Sequence, residues 1–112
     1  STQIHTDVAT KEQMIKIHSA VKYQIQDDTV ASLSICMAYR VSPFDEIIRI
    51  DKDKKQINFS ADFISPLLCS TYDTMRGIFH EKTKDTFLSK YSVPLSSPAM
   101  LASFNKFKVV DD

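Results

Sequence analysis

The sequence predicts an α+β domain that is mostly helical, with about four to five helices and one β-hairpin near residues 47–60. Apolar residues recur three and four apart over long stretches, as along the buried side of a helix. Ser-Pro stands ahead of three apolar-periodic stretches, and two short runs of alternating apolar residues flank a charged turn in the manner of a hairpin.

Thr10 and Gln13 form a capping box ahead of Met14, Ile17, Val21 and Ile25, which predicts a first helix over about 11–26. Asp27 and Asp28 supply a stop and a new N-cap for 29–41, where Val30, Leu33, Met37 and Val41 repeat the helical period. The β-branched and aromatic residues of this second stretch leave a strand as its alternative. In Ser42-Pro43, Ser65-Pro66 and Ser97-Pro98 the serine can accept a bond from a first-turn N–H, and proline has none to lose, so each pair reads as a helix start.

A helical turn at 43–46 precedes strands near 47–51 and 56–60, which carry Ile48, Ile50, Ile57 and Phe59. From Ser65, the residues Leu68, Thr71, Tyr72, Met75, Ile78 and Phe79 make a helix of about four turns. A shorter helix at 84–91 and a last one at 98–107, with Leu101, Phe104 and Phe107, complete the set. Gly77, the only glycine, falls inside the long helix, where it costs about 1 kcal/mol relative to alanine; a close helix crossing or the helix end would account for it.

The 112 residues suit one domain over 10–108, with a flexible segment at 1–9 and an acidic tail at 109–112. A hydrophobic content of 43% argues against disorder, and no apolar run reaches the roughly 18–20 residues of a membrane span. "STQIHTDVATKEQ" lacks a basic start followed by an apolar block, so a cytoplasmic, intracellular location is expected. Cys36 and Cys69 stand 33 positions apart in apolar surroundings and read as buried free thiols.

One glycine excludes phosphate-cradling loops, dinucleotide turns and the Gly-x-Ser-x-Gly elbow. His-Glu-x-x-His is absent, and the Asp51-Lys-Asp53 stretch lacks the third oxygen ligand and turn glycine of a calcium loop. His18, beside the apolar stripe of the first helix, reads as a core-edge histidine. The acidic pairs Asp27-Asp28, Asp45-Glu46 and Asp111-Asp112 are adjacent in sequence, so their side chains diverge and they make poor catalytic dyads. No cofactor, no metal and no enzymatic activity are expected.

Binding remains. Net charge is zero, yet residues 1–48 carry four basic and six acidic side chains and residues 76–108 six basic and two acidic. A basic C-terminal third suits duplex DNA met through a helix-turn-helix-like unit at 65–91, with Arg76, His80, Lys82, Lys84 and Lys90 as the groups facing phosphate. The spacing of Met75, Phe79, Thr83, Phe87 and Tyr91 resembles the DNA-binding half-domains of the AraC class of transcription factors. Lys84 stands where that pattern has its turn glycine, and Gly77 where it has a recognition-helix side chain, so no family is assigned on it.

A helix-turn-helix reader commonly pairs, which makes a homodimer compatible with this expectation. The alternative is a protein-interaction module, such as an inhibitor, immunity or adaptor protein. It would act through the 47–60 hairpin with Arg49, Lys52, Lys54 and Lys55, or through an exposed aromatic among Tyr23, Tyr72 and Tyr91.

Overall fold

The first two expected helices are strands. A computed structural model describes residues 1–51, 56–90, 93 and 96–110, and over them the chain has six strands, three α-helices and one 3₁₀ turn. The mostly helical class is thereby corrected to a domain built around a four-stranded sheet. Strands β1 (Thr2–Ala9), β2 (Met14–Ile25) and β3 (Asp28–Arg40) form an antiparallel meander, and β6 (Lys106–Val110) adds parallel to β1, giving the order β3-β2-β1-β6.

The physical reason lies in the period. In β2, Ile15, Ile17, Ser19 and Val21 are buried and alternate with Lys16, His18, Ala20 and Lys22 on the opposite face. The helical stripe Met14, Ile17, Val21, Ile25 omits the fully buried Ile15, so the period of two accounts for burial and the period of 3.6 does not. In β3, Ala31, Leu33, Ile35, Met37 and Tyr39 alternate in the same way.

The turns change meaning with the strands. Ile25 pairs with Asp28 across a two-residue loop whose Gln26 and Asp27 have φ of 49° and 70°, the signature of a type I′ hairpin turn. The aspartates expected to cap a helix thus close a hairpin. Thr10 and Gln13 belong to the β1–β2 connection, where the Gln13 N–H donates to the Thr10 carbonyl at 3.3 Å. Residues 2–9, expected as a flexible segment, are an inner strand of the sheet.

Further along, α1 (Phe44–Ile47), β4 (Arg49–Asp51) and β5 (Gln56–Asn58) match the expected turn and hairpin, β4 and β5 forming a separate two-stranded sheet. Helix α2 (Ala61–Thr83) starts earlier than Ser65: the Ser60 hydroxyl accepts from the Asp62 N–H at 3.1 Å, and Pro66 lies within the helix. Ser42-Pro43 is a cis peptide, and no side chain caps α1. Ser97-Pro98 does start α3 (Pro98–Phe104), with the serine hydroxyl accepting from Met100 N–H at 3.1 Å. The helix expected at 84–91 is a 3₁₀ turn at Phe87–Lys90, and the one expected at 98–107 stops at Phe104, after which the chain enters β6.

Helix α2 lies on one face of the sheet. Its Ile64, Leu68, Tyr72, Met75 and Phe79 meet Ile4, Val8, Ile15, Ile17 and Val21 of the strands in one core. Two polar contacts help seat it: Ser19 Oγ with Met75 Sδ at 3.2 Å, and Tyr39 Oη with Thr71 Oγ1 at 3.0 Å. Gly77 is exposed, and no atom lies within 4 Å of where its Cβ would stand, so no close crossing requires it. Cys69 is half-buried, whereas Cys36, expected inside, is exposed on the outer face of β3.

Candidate functional site

Helix α3 is seven residues long, too short to persist without packing. It can bury only one side, and Leu101 takes that position at 3% exposure. Met100 and Phe104, one turn apart, are left at 50% and 59% exposure. Just past the helix, the buried Asn105 side-chain oxygen accepts from the Thr6 hydroxyl at 3.0 Å, tying the end of α3 to β1.

The result is a groove between α3, the start of β1 and α2. Met100, Leu101 and Phe104 form one wall, with Thr2 and Ile4 from β1 and Tyr72 from α2. Among the described residues lining it, none carries a charge. Burial raises the Tyr72 phenol above its ordinary range, partly offset by a hydrogen bond from the Thr2 side chain. The groove is therefore uncharged and largely apolar, with Thr2, Gln3, Ser96 and the neutral Tyr72 phenol as the polar groups lining it.

The expected DNA-contacting residues are distributed differently. Arg76 is half-buried; its Nε donates to the Val93 carbonyl at 3.0 Å, and its Nη1 lies 3.5 Å from Asp73 Oδ1. Lys84 is exposed and bonded to Glu81 at 2.8 Å, and His80, Lys82 and Lys90 are exposed. Arg76 and His80 follow one row along α2 at four-residue spacing, which Lys84 continues at the helix C-cap; Lys82 is outside that row, and Lys90 lies on the 3₁₀ turn.

Residues 65–83 run as one uninterrupted helix, and the second element of the expected unit is a single 3₁₀ turn. Met75 and Phe79 are core, as their spacing indicates, whereas Phe87 is 61% exposed. Of the alternative set, Arg49 is exposed on β4, while Lys52, Lys54 and Lys55 lie outside the described residues, as does Tyr91. Tyr23 is half-buried and Tyr72 buried, so neither is an exposed interface aromatic.

The outer face of the sheet brings together groups that stand apart in the sequence. His5 pairs directly with His18 across β1 and β2, and their rings stack with centroids 4.4 Å apart and planes 11° from parallel. His18 Nε2 lies 3.0 Å from Asp7 Oδ2 and 3.8 Å from the Cys36 sulfur. A period of two over His5 and Asp7 is the sequence signal that places both on one face, and a helical assignment of His18 separates it from them.

Comparison with protein-family models, curated proteins and solved structures gives no match. Among the described residues, no helix is long and apolar enough to cross a membrane.

Proposed function

We propose that the protein is a small non-enzymatic binding module that docks an apolar segment of another polypeptide in the groove between α3, β1 and α2. The observation that supports this is the pair Met100 and Phe104, displayed one turn apart on a short helix and lining an uncharged groove with Ile4, Tyr72 and Leu101. Burying an exposed methionine or phenylalanine against a partner is worth about 1.5–3 kcal/mol each, and such residues are enriched where proteins meet. The groove is anchored from beneath by Leu101 and by the Thr6–Asn105 hydrogen bond, so its walls are set before a partner arrives.

Duplex DNA ranks below this reading. Arg76 and Lys84 already face Asp73 and Glu81, which reduces the field available to phosphate. The experiment for the proposal is capture from a displayed-peptide library by the chain and by a Met100→Glu, Phe104→Glu variant. Enrichment of apolar and aromatic peptides by the former, lost in the latter, is the outcome expected.

A further inference from the structure

We propose that His5, Asp7 and His18 form a binding site for a divalent transition-metal ion of the zinc class on the outer face of the sheet. This is independent of the groove, which lies beside α3. One ligand atom from each residue falls within 4.8 Å of the other two. Strand pairing sets the arrangement: His5 and His18 are directly opposed in the β1–β2 register, and Asp7 follows His5 by two residues on the same face.

Zinc bonds of 2.0–2.2 Å place two ligand atoms of a tetrahedral site about 3.4 Å apart. His18 Nε2 and Asp7 Oδ2, at 3.0 Å, are already near that separation. The remaining adjustment falls to His5, whose exposed ring is the least constrained of the three. For His18 to present its Nε2 lone pair to an ion, the neutral ring carries its proton on Nδ1, and the ion then replaces the His18–Asp7 hydrogen bond.

The donor set selects the metal. Two imidazole nitrogens and one carboxylate suit zinc, cobalt, nickel or copper, whereas calcium and magnesium require oxygen shells. Three protein ligands leave a coordination position for water. Cys36, paired with His18 across β2 and β3, is the nearest further donor.

Cationic neighbours temper the affinity. Lys106 pairs with His5, and Lys16 and Lys108 pair with Asp7, so three lysines stand beside the site in the strand register, the Lys16 ammonium engaging Glu12 at 3.2 Å. Binding of order micromolar is expected rather than the far tighter binding of closed structural zinc sites.

Titration with Co²⁺ in a non-chelating buffer tests the site. The expected result is a saturable one-to-one visible absorption that Zn²⁺ abolishes, weakened about tenfold or more by His5→Gln and by His18→Gln and retained in Cys36→Ser. His5 is exposed, so His5→Gln keeps the test decisive if His18→Gln fails to fold. Absence of saturable binding, binding unchanged in both histidine variants, or binding lost in Cys36→Ser but unaffected by His5→Gln would each overturn the proposed ligand set.

Discussion

Tyr23 of β2 and Phe79 of α2 stack with ring centroids 5.3 Å apart and planes 19° from parallel. Phe79 is 3% exposed and joins the helix to the sheet near the point where the β2–β3 ribbon leaves the core. Removing that ring leaves a cavity and exposes one face of Tyr23. Phe79→Ala is expected to destabilise the fold by about 3–5 kcal/mol, measured by denaturant unfolding. A loss below about 1 kcal/mol would mean that the contact is not part of the core.

Gly77 gives the opposite sign. It sits exposed in α2 with open space where a side chain would begin, so alanine adds helix propensity and meets nothing. Gly77→Ala should raise stability by about 1 kcal/mol. Unchanged or lowered stability in the same unfolding assay would show that the glycine answers a constraint beyond the helix backbone.

The Tyr72 phenol predicts a specific alkaline behaviour. Its folded-state pKa is raised above the ordinary 10.0, chiefly by burial, so folding favours the protonated form. The associated stability is fully present below pH 10 and is lost as pH rises through the raised folded value. Unfolding midpoints followed from about pH 8 to 11 should therefore fall less steeply in Tyr72→Phe than in the parent chain. Parallel curves would show that the phenol contributes nothing to the decline.

What the sequence conveyed depended on whether local and long-range forces agreed. At Ser97-Pro98 and in the hairpin around Ile50 and Ile57, the local pattern and the final structure coincide. At Thr10, Gln13, Asp27 and Asp28 they diverge, because residues suited to helix caps are equally suited to turns, and pairing between β1, β2 and β3 decided the outcome. Ile15 carried the discriminating information, being buried in a position that the helical stripe leaves outside.

The candidate sites were less legible for the same reason. His5, Asp7, His18 and Cys36 meet only through strand register, and a helical assignment of 11–41 disperses them. Phe104 and Phe107 share a helix stripe by spacing alone, but the chain leaves the helix at Asn105, which puts Phe107 on β6 beside Phe59, with ring centroids 4.8 Å apart, and leaves Phe104 exposed. The long helix was legible because its buried stripe from Leu68 to Phe79 is local.

Peptide capture with the Met100→Glu, Phe104→Glu variant tests the groove most directly. Met100 and Phe104 are both at least half exposed, so Met100→Glu, Phe104→Glu should leave folding stability within about 1 kcal/mol of the parent chain. With the fold verified by unfolding, the parent chain is expected to enrich apolar and aromatic peptides from a displayed library, and the variant to lose that enrichment about tenfold or more. Equal enrichment by both proteins, or none by the parent chain, would contradict the groove as the working surface.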